Sequence, residues 1–226
     1  MSADDSATNV AAAVPAILFR LLRQMDAEAT TVKDGFPTGL NWYGGHVGTR
    51  QTEPQWSKRI VELLRAEGLV AECECGYGAG TRDRCDVVIM LPEVGKFWLE
   101  IKGAWKEYWR EKGTNDLLYR SYLLHPLVPG LDKTKTHTVP LDLQKLARLT
   151  RADASYVGML LVGFDSSEAP MDADVAQLVQ LARLGIEPWT AVATGWLDTY
   201  RPGQRVRVWF WYRGVPQSGA SASPCQ

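Results

Sequence analysis

The sequence predicts an α/β protein of three layers, with a central mixed sheet flanked by helices. Three observations predict it. Helical periodicities and strand-like apolar runs interleave along the chain instead of segregating. Three such runs follow one another closely, two of them joined by Pro92-Glu93-Val94-Gly95, a turn composition. Tyr156 to Phe164 is apolar almost throughout, the pattern of a strand buried on both faces.

Each element has its own signal. A first helix is expected over about Val14 to Glu28, with Ile17, Leu18, Leu21, Leu22 and Met25 at helical spacing. Gly35 to Arg50, rich in glycine and aromatics, reads as a loop. A second helix begins near Thr52, whose spacing to Gln55 is that of a capping box. Trp56, Ile60, Leu63 and Leu64 form its apolar stripe, and Gly68 ends it. Strands follow at Val70 to Gly76, Arg84 to Leu91 and Lys96 to Lys102. Residues 103–138 read as an aromatic and basic insertion with one helical piece between Trp105 and Glu111. A third helix spans about Pro140 to Thr150, with Leu143, Leu146 and Leu149 inward and Gln144, Lys145, Arg148 and Arg151 outward. After the buried strand come a helix over Asp172 to Leu184 and an alternating strand over Arg205 to Arg213. The domain covers residues 10–213, between small, polar ends at 1–9 and 214–226 that are expected to lack fixed structure.

Composition excludes several classes. The apolar fraction of 46% and the charged fraction of 23% are those of a soluble globular protein. The apolar run Ser155 to Phe164 is too short to cross a bilayer. Asp4 and Asp5 open the chain where a secretory leader would carry basic residues, so the cytoplasm is the expected compartment. Cys73, Cys75 and Cys85 lack the paired spacings of zinc motifs, and reduced cysteines are the better reading. His46, His125 and His137 are isolated and read as solvated loop residues.

The net charge of −1 conceals a partition: −4 over residues 1–101, +5 over 102–151, −6 over 152–200 and +4 over 201–226. Positive charge thus collects in the stretch that holds Lys106, Arg110, Lys133, Lys135, Lys145 and Arg148. An anionic backbone would need this near a reaction centre, although a solvated basic face has the same composition. Trp98, Trp105, Tyr108, Trp109, Tyr119 and Tyr122 lie among these charges. They suit stacking on bases or covering an apolar surface.

Chemistry concentrates on two neighbouring strands. Asp86 stands near the start of one, and Glu100 and Lys102 stand two residues apart near the end of the next, so the latter two share a face. Burying such charges uncompensated is costly. A divalent cation resolves the cost, because carboxylates are hard oxygen ligands for Mg²⁺ or Mn²⁺. The lysine then stands beside the metal, placed to orient or help deprotonate a water.

Asp86, thirteen intervening residues and Glu100-Ile101-Lys102 resemble the signature of the PD-(D/E)xK nuclease superfamily, with Cys85 where that signature has proline. The resemblance covers roughly residues 50–165 and implies a restriction-endonuclease-like core. It implies that Asp86, Glu100 and the carbonyl of Ile101 ligate the metal. It further implies that Lys102 positions the attacking water and balances charge on the phosphorus, and that Glu53 at the start of the second helix holds a water or a second metal. Gln144 and Lys145 fall where the superfamily places auxiliary polar residues. The implied activity is Mg²⁺-dependent phosphodiester hydrolysis, on DNA rather than RNA, of the kind found in restriction, anti-phage defence or repair. A homodimer is expected if both strands of a duplex are cut. The competing readings are an inactive nucleic-acid-binding domain or a protein-interaction domain on the same fold. For the three central residues, the competing reading is an exposed pair on an edge hairpin. On the sequence alone, Asp86→Ala is expected to leave the fold intact or to stabilise it by relieving carboxylate repulsion.

Overall fold

The fold is described from a computed structural model for residues 3–28, 32–33, 36–37, 52–76, 84–92, 94–106, 116–131, 137–150, 153–186, 188–197 and 203–216. Helix α1 (Ala3–Glu28) is followed by a two-residue pairing of β1 (Val32–Lys33) with β2 (Phe36–Pro37), then by α2 (Thr52–Ala66). Strands β3 (Val70–Gly76), β4 (Arg84–Leu91) and β5 (Gly95–Trp105) come next. Helices α3 (Asp116–Leu124) and α4 (Val139–Ala147) lead to β6 (Tyr156–Ser166), α5 (Asp172–Ala182), β7 (Thr190–Leu197) and β8 (Gln204–Gly214).

Six strands form one sheet in the order β3-β4-β5-β6-β8-β7. The β3-β4-β5 meander is antiparallel, β5 and β6 run parallel, and β8 lies antiparallel between β6 and β7. The mixed sheet expected from the sequence is therefore present, and alternation along its strands builds two cores. On one face Val87, Ile89, Leu99, Leu160, Val162 and Phe210 pack under α1 and α2 through Leu18, Leu21, Leu22, Trp56, Ile60 and Leu64. On the other, Val88, Trp98, Val157, Leu161 and Trp211 pack under α3, α4 and α5 through Tyr119, Leu123, Val139, Leu143, Leu146 and Leu178.

The differences from expectation have local causes. Helix α1 begins at Ala3, well before Val14, because Ala11, Ala12 and Ala13 are strong helix formers that carry the helix N-terminal of its apolar stripe. Strand β5 continues to Trp105 and Lys106, next in the chain, is helical, so the expected helical piece begins one residue later; Glu107 to Glu111 lie outside the described residues. Beside β6, β5 finds parallel partners as far as Trp105–Phe164, which extends it past the polar Lys102. The stretch expected as an insertion contributes α3 to the second core through Tyr119, Leu123 and Leu124. Trp98, Trp105 and Tyr119 are packing residues: Trp105 stacks on Phe164 at 5.4 Å, and Trp98 Nε1 donates to the Asp153 carbonyl. Tyr108 and Trp109 lie outside the described residues, as do the tail from residue 217 onward and most of Gly35 to Arg50.

Candidate metal centre

The β4–β5 ladder runs from Leu91–Gly95 to Val87–Leu99 and stops there, while β5 continues beside β6 alone. Asp86 is the first residue of β4 beyond that last pair. The β3–β4 ladder also skips it. Cys73 pairs with Val87 and Cys75 with Cys85, but Glu74, which would stand opposite Asp86, takes a left-handed conformation with φ 57° and lies exposed. Asp86 therefore occupies a break in both ladders.

Its side chain closes that break. Asp86 Oδ2 accepts the Ile101 N–H at 2.7 Å. In an extended strand the N–H and C=O of one residue point to the same side, so the Ile101 carbonyl also opens toward Asp86, beyond the last rung of the ladder. Cys85, next in sequence, donates its buried thiol toward the carbonyls of Leu99 at 3.2 Å and Val87 at 3.3 Å. The residue that replaces proline in the resemblance thus helps fix the fork between the strands.

Glu100 and Lys102 alternate with Ile101 and share the face of Trp98 and Ala104, which belongs to the second core. They are 2% and 6% exposed, so they are not an exposed pair on an edge hairpin. Lys102 Nζ lies 3.0 Å from Asp142 Oδ2 on α4, close enough for an ion pair though without the alignment of a hydrogen bond. The other oxygen, Oδ1, meets Lys145 Nζ at 2.7 Å. Asp142, only 1% exposed, was not singled out from the sequence. Its signal was present: it falls on the stripe of Val139, Leu143 and Leu146, where a charge has no place without a partner.

The remaining predicted residues divide. Gln144 and Arg148 are exposed on α4, while Lys145 turns partly inward to Asp142. Lys106 donates to Asp174 Oδ2 at 2.6 Å and to the Pro170 carbonyl at 2.8 Å, with its ammonium over the Tyr119 ring. It ties β5 to α5, so its charge is already compensated. Arg110, Lys133 and Lys135 lie outside the described residues. Glu53 belongs to the first turn of α2, but its side chain lies outside the described residues. Three residues later, Trp56 contacts Trp105 at 5.8 Å and Phe164 at 6.0 Å, so α2 starts near the C-terminal end of β5. Glu53 shares that end of the sheet, though α2 packs on the face opposite Glu100 and Lys102.

Among the described residues no group of three His, Cys, Asp or Glu side chains is gathered to hold a metal. The donors the reading would use, the Asp86 and Glu100 carboxylates and the Ile101 carbonyl, are oxygens of the kind a hard cation takes. Among Asp86, Glu100, Asp142, Lys102 and Lys145 the formal charge is −1, the sign that attracts a cation. Cys73, Cys75 and Cys85 are free thiols, and Cys75 is held above its usual pKa by burial and by its hydrogen bond to Glu72. A groove of about 500 Å³ lies elsewhere, along β7 and β8, bordered by Arg205 and Arg207. Both guanidiniums pair with acids, Arg205 with the buried Asp165 and Arg207 with Asp172. No helix among the described residues is long and apolar enough to cross a membrane. No family model, curated protein or solved structure matches this chain.

Proposed function

We propose that this chain is a metal-dependent nuclease of the PD-(D/E)xK type, hydrolysing phosphodiester bonds with Mg²⁺ or Mn²⁺. The observation that carries the reading is the fork between β4 and β5. There the Asp86 carboxylate accepts the peptide N–H of Ile101, the residue between Glu100 and Lys102. A carboxylate has acceptor sites for several partners, so Asp86 can hold the Ile101 N–H and a cation at once. Asp86, Glu100 and the Ile101 carbonyl would hold the metal. When bound, the cation supplies Lewis acidity, polarising the phosphoryl oxygen and stabilising the leaving oxygen.

The chain's own groups do the rest. Lys102 donates hydrogen bonds to the attacking water and offsets negative charge gathered on the phosphorus. Gln144 on the exposed face of α4 and Arg148 at its C-terminal cap would contact the substrate backbone. Glu53, at the same end of the sheet, would hold a water or a second cation. DNA is the favoured substrate over RNA, in a restriction, defence or repair setting, and cutting both strands would call for a two-fold dimer that presents two centres.

Metal binding tests the site before any substrate is known. Titrating the protein with Mn²⁺ by calorimetry is expected to give one saturable site in the wild type. Asp86→Asn and Glu100→Gln, each folded, are expected to weaken it at least tenfold. Equal affinity in all three proteins would remove the metal centre and the nuclease reading with it.

A further inference from the structure

We infer that Asp142 is a positioning residue for Lys102, holding its ammonium at the metal centre from the neighbouring helix. The inference rests on the nuclease reading for what the lysine does, and on geometry alone for how it is held.

A carboxylate at position 142 is expensive where it stands. It is 1% exposed on the apolar stripe of α4, between Val139 in one direction and Leu143 and Leu146 in the other. An aliphatic side chain would suit that stripe better, since a buried ion pair gains little over well-packed apolar residues. Asp142 is instead engaged at both oxygens, Oδ2 with Lys102 at 3.0 Å and Oδ1 with Lys145 at 2.7 Å. Two cations on opposite oxygens fix the plane of the carboxylate as well as its place.

The helix that carries Asp142 is itself anchored. Thr138 Oγ1 accepts the Leu141 N–H at 3.4 Å as the helix cap and donates to the His125 carbonyl at 2.6 Å. Val139, Leu143 and Leu146 bury the same helix in the second core. Lys102 thus has its backbone set by the β5–β6 pairing and its Nζ set by α4. A flexible four-carbon side chain is held at both ends, which is how a reacting group is kept within the tolerance that catalysis needs. Lys145 becomes the second arm of this clamp as well as a candidate backbone contact.

The test uses the full chain, with Asp142→Asn, which keeps the shape and removes the charge, and Asp142→Glu, which keeps the charge and moves it. Turnover of linear and plasmid DNA with Mn²⁺ is measured beside the acylation of Lys102 by an amine-reactive ester, read by mass spectrometry without nucleic acid. Asp142→Asn is expected to lower kcat roughly 10–100-fold, with KM and Mn²⁺ affinity within about twofold of wild type. Its Lys102 is expected to acylate several-fold faster, and Asp142→Glu is expected to recover part of both properties. Wild-type kcat together with unchanged labelling in folded Asp142→Asn would overturn the inference, and Asp142→Ala, read in the same two ways, decides the matter if Asp142→Asn does not fold. If wild type cleaves nothing, the nuclease reading fails, and Lys102 labelling alone then decides whether Asp142 holds the lysine.

Discussion

Asp86 accepts the Ile101 N–H at 2.7 Å in a place where neither neighbouring ladder supplies a partner. That bond changes what substitution there should do. Relief of carboxylate repulsion, expected from the sequence, is outweighed by the loss of an acceptor for a buried peptide N–H, which costs about 1–3 kcal/mol. Asp86→Ala should therefore lower stability to urea by about that amount, whereas Asp86→Asn, whose amide oxygen can still accept, should lose less than about 1 kcal/mol. Equal stability of the two variants would show that the bond contributes nothing. Asp86, Glu100 and Lys102 were legible because charges interrupt runs that are otherwise apolar. Asp142 carries the same signal in helical rather than strand periodicity, where its apolar neighbours in sequence, Leu141 and Leu143, do not by themselves show which face it takes. The break at Glu74 was not legible, because a left-handed strand residue that is not glycine has no sequence mark.

At the scale of elements, the periodicities that depend on burial were legible, whereas of the two edge strands β3 was read and β7 was not. The stripes of α2 and α4, the apolar β6 and the alternation of β8 all face buried cores, where physics imposes a pattern. Strand β7 is the outer strand of the sheet and is largely exposed on both faces, so Thr190 to Leu197 carries no alternation to read. Helix α3 was hidden for a different reason, since it is short and lies within an aromatic and basic stretch that reads as a loop. Where β6 crosses under the first core, its apolar run makes room for rings. A Cβ on Gly158 would stand 2.8 Å from Phe97 Cε1 and 2.9 Å from Phe210 Cζ, two buried rings stacked at 6.2 Å. Gly158→Ala should therefore destabilise the fold by about 1–3 kcal/mol through overpacking. A melting temperature equal to that of wild type would mean that the rings move aside at no cost. The same variant should keep its Mn²⁺ affinity, because the site lies on the other face.

For the whole molecule, the sheet divides the labour. Helices α1 and α2 close one face with apolar contacts, and α3, α4 and α5 close the other, where Glu100, Lys102 and Asp142 interrupt the core. A protein that needed only stability would fill those three positions with aliphatic side chains. Their retention inside the second core, beside a fork that exposes a backbone carbonyl, is the strongest argument that the chain does chemistry. Net charge supports a nucleic-acid substrate less directly. The +5 segment from 102 to 151 includes Lys102, Lys106 and Lys145, whose charges meet acids within the fold. Among the described residues of that segment, Arg148 is exposed and would be available to a phosphate backbone.

The most direct measurement is cleavage of plasmid, single-stranded DNA and RNA by the wild type and by Lys102→Ala, with Mg²⁺ or Mn²⁺ and with EDTA. Circular dichroism should first establish that both proteins are folded. The wild type should cut at least one substrate only with metal, and Lys102→Ala should lose that activity at least 100-fold, the scale of losing a group aimed at developing charge. A folded wild type and a folded Lys102→Ala variant that are equally inert, or equally active, on all three substrates would contradict the account.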